Sequence, residues 1–67
     1  MLQLTINGEA RQFDDVVTVA DLIRVLALTG KRVAVERNGA IVPRSRHGET
    51  PLRDCDTLEI VVAVGGG

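Results

Sequence analysis

Two Asn-Gly pairs constrain the fold of this chain more than any other feature of its sequence. The first, Asn7-Gly8, directly follows residues 2–6, where leucine and isoleucine alternate with polar residues as in a half-buried strand. Asn-Gly suits the two central positions of a type I′ turn, because both positions need a positive φ. We therefore expect a β-hairpin whose returning strand, Glu9 to Phe13, lies at a sheet edge.

The second pair, Asn38-Gly39, follows another strand pattern at residues 33–36. The strand after it, at residues 40–42, is cut short by Pro43, which cannot donate a hydrogen bond to a sheet. Residues 44–51 are polar and we expect them to be irregular, with one helical turn near residues 45–47. A turn at residues 54–56 then leads into the closing strand.

One helix is predicted, and it begins at Thr18. Threonine caps helices, and Asp21 three residues later suits the exposed amides of the first turn. Gly30 is expected to end the helix in a left-handed conformation. The predicted buried stripe consists of Val19, Leu22, Ile23 and Leu26.

A single helix covers only one face of a sheet, so the predicted fold class is α+β, with a mixed four- to five-stranded sheet and the other face open to solvent or to partners. On the closing strand, residues 57–64, the side chains should alternate between the two faces. Leu58, Ile60 and Val62 should point at the helix, and Glu59, Val61 and Ala63 should point away.

Composition excludes several classes of function. The net charge is −1 and Phe13 is the only aromatic residue, so we expect no nucleic-acid partner. No signal peptide is evident, and the longest apolar run is too short to cross a bilayer, so we expect no membrane association. Cys55 and His47 are the only cysteine and histidine, which excludes an internal disulfide and a zinc site and favours a reducing, cytoplasmic location.

Three glycines, Gly65, Gly66 and Gly67, follow the closing strand. We expect residues 1–64 to form one domain and residues 65–67 to form a flexible tail that carries the α-carboxylate of Gly67. Three extended residues reach about 10 Å, which is enough to place a carboxylate in a narrow tunnel of another protein.

These features together resemble the ubiquitin-like β-grasp fold and, more closely, the ThiS family of sulfur carrier proteins in thiamine biosynthesis. The matching segments are Ile-Asn-Gly-Glu at 6–9, Thr-Val-Ala-Asp-Leu at 18–22, Val-Ala-Val-Glu-Arg-Asn-Gly at 33–39, Ile-Val-Pro-Arg at 41–44, and residues 58–67. Family members usually have glycine in the turn at residues 54–56, so Cys55 is expected in a left-handed conformation.

The resemblance implies a carrier and not an enzyme, with no cofactor of its own. An E1-like adenylyltransferase of the ThiF type would adenylate the Gly67 carboxylate with ATP. Sulfur from a cysteine desulfurase persulfide would displace AMP and leave a thiocarboxylate, and thiazole synthase would take that sulfur into the thiazole ring. The carrier alone is expected to be a monomer.

Partners are expected to dock on the open sheet face, next to the tail. Val61 and Ala63 are the predicted contacts, with Ile41 or Val42 as a neighbour. The alternative is that these are ordinary exposed aliphatic residues without a function.

Other residues have competing interpretations. Cys55 could be the nucleophile of a sulfurtransferase, but no base lies near it in sequence, and a turn residue or a semi-buried one is the other interpretation. His47 is expected to be a surface residue of a polar loop. Arg37, Arg44 and Arg46 form either a basic patch for an acidic partner or a solvated loop.

Three alternative functions use a similar fold. The small subunit of molybdopterin synthase shares the tail chemistry, but its chain is usually longer and lacks the Val-Pro-Arg segment. A ubiquitin-like modifier would end in an isopeptide bond. A β-grasp binding module gives no reason for three consecutive glycines at positions 65–67.

Overall fold

The computed structural model describes residues 1–63. Within them it contains five strands, one α-helix and one 3-10 helix. In chain order these are β1 (Leu2–Ile6), β2 (Glu9–Phe13), α1 (Val19–Val25), β3 (Val33–Arg37), β4 (Ala40–Val42), the 3-10 helix (Arg44–Arg46) and β5 (Asp56–Val62).

The five strands form one mixed sheet in the order β2-β1-β5-β3-β4. β5 lies in the centre, parallel to β1 and antiparallel to β3, and the two hairpins are antiparallel. The predicted mixed sheet with one helix is confirmed. β5, like β1 and β3, has a neighbour on each side, and this central strand is the one that precedes residues 64–67 in the chain.

Both Asn-Gly pairs form the predicted turns. Asn7 and Gly8 have φ values of 51° and 83°, and Asn38 and Gly39 have values of 51° and 85°. A type I′ turn needs positive φ at both central positions, and these values satisfy that need.

The start of α1 is confirmed, and its exposed amides are all paired. The Thr18 hydroxyl accepts from the Asp21 N–H at 3.2 Å, and the Asp21 carboxylate accepts from the Thr18 N–H at 3.1 Å, forming a capping box. The Val19 N–H donates to the Thr50 carbonyl, and the Ala20 N–H donates to the His47 carbonyl. The loop after β4 is therefore fixed onto the helix N-terminus.

The prediction that Gly30 ends the helix is wrong. α1 ends at Val25, and the left-handed residue after it is Ala27, with φ of 60°. The Ala27 N–H donates to the Arg24 carbonyl at 3.0 Å and the Leu28 N–H to the Ile23 carbonyl at 2.9 Å, which is the bonding pattern of a Schellman motif. Gly30 also has a positive φ, but in the following turn.

The core lies between α1 and one face of the sheet. Leu58 and Ile60 of β5 are buried while Glu59 and Val61 are exposed, so the predicted alternation along the closing strand is confirmed. Leu26, the C-cap residue of α1, is partly buried and packs against this core. The fully buried residues are Leu4, Val19, Leu22, Val35 and Leu58.

Candidate functional site

The last described residue, Ala63, is still bound to the sheet. Its N–H donates to the Arg32 carbonyl at 2.8 Å, one residue beyond the Val33–Val62 pair that ends the β3–β5 ladder. The described chain therefore ends where β3 begins, at one end of the sheet and next to the open face. The predicted tail residues Gly65, Gly66 and Gly67 lie outside the described residues.

The open face carries apolar side chains at and next to Ala63. Val61 is 63% exposed and lies directly opposite Ala34 of β3, which is also exposed. Ala63 is exposed as well. Val61 and Ala63 thus have the orientation expected of partner contacts, and whether they contact a partner stays a prediction.

Of the two proposed neighbours, only Ile41 is available to a partner. Ile41 is 77% exposed on the open face, opposite Glu36. Val42 is buried, because its register opposite Val35 turns it towards the helix. The suggestion that Val42 contributes to the docking face is therefore wrong.

Cys55 lies far from the end of β5 that precedes the glycines. It occupies the turn before β5, is exposed, and has φ of 71°, so the expected left-handed conformation is confirmed. The seven residues of β5 extend about 20 Å from this turn to Val62. The thiol lies 3.8 Å from a carboxylate oxygen of Asp54, which is its one side-chain hydrogen-bond partner within residues 1–63. A turn residue is the interpretation that this geometry supports.

His47 is not the surface residue that the polar loop predicted. It is only 9% exposed and lines a small cavity of about 180 Å³ together with Ala20 and Ile23 of the helix. The 3-10 helix turns the chain back so that the His47 carbonyl accepts from the Ala20 N–H. His47 therefore packs the loop against α1.

The three arginines do not form one patch. Arg37 and Arg46 line a groove of about 590 Å³ beside Ile41 and Pro43, whereas Arg44 lines the smaller cavity beside His47. Arg37 also pairs with Asp56 at 3.3 Å. The positive charge of Arg37 in the groove is thus partly neutralised by Asp56 within the domain.

Asp56 is a buried carboxylate that sequence reasoning treated as a turn residue. One oxygen accepts from the Arg53 N–H at 2.9 Å and the other from the Asn38 amide at 2.9 Å. Burial raises the pKa of Asp56, but these hydrogen bonds and the charges of Arg37 and Arg53 outweigh it, so the pKa lies below its ordinary value. An aspartate side chain can bond to the backbone N–H three residues before it, and this local pattern was the available signal in the sequence.

The described part of the chain contains neither a cluster of metal ligands nor a membrane-spanning helix. Residues 1–63 bring no three histidine, cysteine or acidic side chains together as a metal site would require. The single α-helix in those residues lacks the length and apolar character needed to cross a bilayer.

A five-stranded mixed sheet with one helix on one face defines a ubiquitin-like β-grasp protein, and solved structures confirm this class. The crystal structure of ThiS from Geobacter metallireducens superposes with a TM-score of 0.82 at 30% identity, covering 98% of this chain and all of that one. The solution structure of the thiamine biosynthesis protein from the same organism gives a TM-score of 0.80.

The family is shown by sequence. The ThiS family model matches residues 4–67, and the sulfur carrier protein ThiS of Bacillus subtilis is 44% identical over the full length of both chains. The chain belongs to the ThiS family, which is in keeping with the predicted carrier and not with an enzyme. The match favours this family over the molybdopterin synthase small subunit.

Longer relatives place the same domain in another context. A thiazole synthase of Paramagnetospirillum magneticum is 46% identical over 98% of this chain, and one of Magnetococcus marinus is 35% identical over the same share. This chain spans about a fifth (20%) of the length of each of these two relatives. A ThiS-like segment thus occurs within proteins named as thiazole synthases.

Proposed function

We propose that this chain carries sulfur for thiazole formation as a thiocarboxylate on Gly67. The observation that carries the proposal is the match to the Bacillus subtilis sulfur carrier, which spans both chains completely and so brings residues 65–67 to the end of that protein. The geometry supports it, because the central strand β5 ends next to exposed apolar side chains of the open face, and the glycines follow this strand in the sequence.

The chemistry requires an activating enzyme. A carboxylate oxygen of Gly67 attacks the α-phosphate of ATP, pyrophosphate leaves, and the acyl adenylate provides AMP as a leaving group. The terminal sulfur of a desulfurase persulfide attacks the acyl carbon and releases AMP. A thiol then cleaves the sulfur–sulfur bond by forming a disulfide with the desulfurase sulfur, which leaves the thiocarboxylate for thiazole synthase.

The glycines suit this role because they place no Cβ around the acyl carbon. A closed active site can then surround the Gly67 carbonyl from every side. Ordering each residue costs about 1–2 kcal/mol, so docking of the folded domain must offset the cost. Val61 and Ala63 are the proposed docking contacts, and the reducing cytoplasm is the proposed location, since Cys55 is an exposed free thiol.

The test is the intact mass of the chain after incubation with ATP, an E1-like activating enzyme, a cysteine desulfurase and cysteine. We expect a gain equal to the exchange of one oxygen for sulfur. Deletion of Gly67 should abolish the gain and leave the circular dichroism spectrum unchanged. Unaltered sulfur loading without Gly67 would refute the proposal.

Cys55→Ser is the control that tests whether sulfur is loaded on the Cys55 thiol instead of on Gly67. It should load as the parent chain does, since Cys55 lies at the far end of β5. Loss of loading in a folded Cys55→Ser variant would support the sulfurtransferase alternative instead.

A further inference from the structure

Two glutamates lie directly opposite each other on the open face. Glu59 of β5 and Glu36 of β3 are partners in the antiparallel register, and both side chains point away from the helix. Directly opposed residues in a sheet have Cβ atoms about 4.5–5.5 Å apart, and like charges in this position are destabilising. Neither carboxylate forms an ion pair within residues 1–63.

Apolar residues lie next to each of the two carboxylates. Ile41 lies opposite Glu36 on its other side, and Val61 is the next residue of β5 on the same face as Glu59. A protein that covered Val61 and Ile41 would also remove water from the two charges. Both carboxylates would then be buried close together, which is unfavourable unless the partner brings a positive charge between them.

We propose that this face, defined by Glu36, Glu59, Val61 and Ile41, docks a thiazole synthase that inserts an arginine between the two glutamates. A guanidinium has enough fixed donors to bond both carboxylates at once, which an ammonium does less well. The inference rests on the proposed function, because it assigns the partner of the same docking face.

The negative charge of this face and its position in the fold favour thiazole synthase as the partner. A second copy of the chain in a two-fold face-to-face dimer would bring four carboxylates together without a cation, so self-association through this face is unfavourable. The face continues to Ala63, where the described chain ends next to the glycines. Thiazole synthases that contain a ThiS-like segment have this domain and a synthase in one polypeptide.

The experiment compares two double variants with the same change in charge. Glu36→Gln with Glu59→Gln removes the opposed pair, and Glu9→Gln with Asp14→Asn removes two exposed carboxylates on and beside the edge strand β2. The affinity of each for purified thiazole synthase is measured by calorimetry at low and high salt. We expect the first variant to bind at least tenfold more weakly with a flatter salt dependence, and the second to bind as the parent does.

Unfolding separates recognition from a structural role. Relief of the like-charge contact should leave the melting temperature of the Glu36→Gln/Glu59→Gln variant unchanged or higher. The single Glu59→Gln variant, changed at an exposed side chain, should lose affinity to an intermediate degree. Equal affinity of the double variant and the parent would overturn the inference. A loss of affinity confined to the activating enzyme would overturn the assignment of thiazole synthase as the occupant.

Sulfur loading distinguishes this inference from the proposed function. The Glu36→Gln/Glu59→Gln variant should still acquire sulfur at Gly67 when the activating enzyme is in excess. Loading together with unchanged affinity for thiazole synthase would reject the docking inference alone. Failure of the parent chain to load would reject the proposed function.

Discussion

Asn7 is hydrogen-bonded to both backbone groups of Ile60. Its side-chain Nδ2 donates to the Ile60 carbonyl at 3.0 Å, and its Oδ1 accepts from the Ile60 N–H at 2.8 Å. The side chain thus replaces a backbone partner just beyond the end of β1, where the Asn7 N–H already donates to the Leu58 carbonyl. The first hairpin turn is therefore attached to the central strand.

Asn7→Gly should destabilise the domain although it preserves the turn. Glycine accepts the positive φ, but both hydrogen bonds to Ile60 are lost, and we expect a decrease of about 2 kcal/mol in the free energy of unfolding. Chemical denaturation measures this decrease in the free energy of unfolding. Gln12→Gly on the edge strand controls for the flexibility of glycine and should cost about 1 kcal/mol or less. Equal losses in the two variants would show that the Asn7–Ile60 bonds contribute nothing.

The second hairpin turn is attached to β5 in the same way, by its asparagine side chain. Asn38 Oδ1 accepts from the Thr57 N–H at 2.9 Å, and its Nδ2 donates to the Asp56 carboxylate. The sequence predicted both Asn-Gly turns from backbone conformation, which is a local property. It did not predict that both asparagines bind β5, because those contacts depend on the strand order and join residues 53 and 19 positions apart.

Asp56→Asn should lower stability in a pH-dependent way. The folded pKa of Asp56 lies below its ordinary value, so the folded state binds this proton more weakly than the unfolded chain does. The stabilisation is complete above the ordinary pKa and is lost as the pH falls through the lower folded value. We expect the variant to lose about 1–3 kcal/mol at neutral pH, and the difference from the parent to shrink below about pH 4.

Urea denaturation across that pH range checks the prediction for Asp56. Asp15→Asn, at an exposed position outside the strands, is the matched control and should have little effect at any pH. A difference between Asp56→Asn and the parent that stayed constant down to acidic pH would contradict the assigned role of the charge.

The helix C-terminus shows why an end is harder to predict than a start. Thr18 and Asp21 form the predicted capping box because the residue types themselves supply the hydrogen bonds. At the other end the favoured residue type, Gly30, was available, but the chain uses Ala27 instead. Leu28 then packs against the core, and this tertiary contact outweighs the local preference for glycine.

Ala27→Gly should therefore stabilise the domain. Alanine at φ of 60° is strained, and glycine relieves the strain at some entropic cost, so we expect a net gain of about 0.5–1 kcal/mol. Ala20→Gly inside α1 is the control and should lose about 1 kcal/mol, since its φ is helical. Thermal unfolding should show a higher melting temperature for Ala27→Gly than for the parent chain, and a lower one for Ala20→Gly. A loss of stability in Ala27→Gly would mean that the Schellman motif does not constrain this residue.

The sequence predicted the sheet, the helix and the direction of each side chain on β5, since these follow from turn types and a period of two. It placed His47 at the surface, which was wrong, and it left Ile41 and Val42 as alternatives for the open face, of which the structure excludes Val42. His47 is buried by the 3-10 helix that folds its loop onto α1, and Val42 is turned inwards by its register with Val35. Neither the loop path nor the register is visible in local composition.

Val61→Asp tests the apolar part of the docking face. Val61 is 63% exposed, so a polar residue costs little in the free domain, but an aspartate there would be buried without a partner in a complex. We expect at least a tenfold loss of affinity for thiazole synthase, measured by calorimetry. Val17→Asp is matched in charge and, at 64% exposure, in accessibility, and it lies before the helix and outside the sheet, so it should bind as the parent does. Equal affinity of the Val61 and Val17 variants would remove Val61 from the docking face.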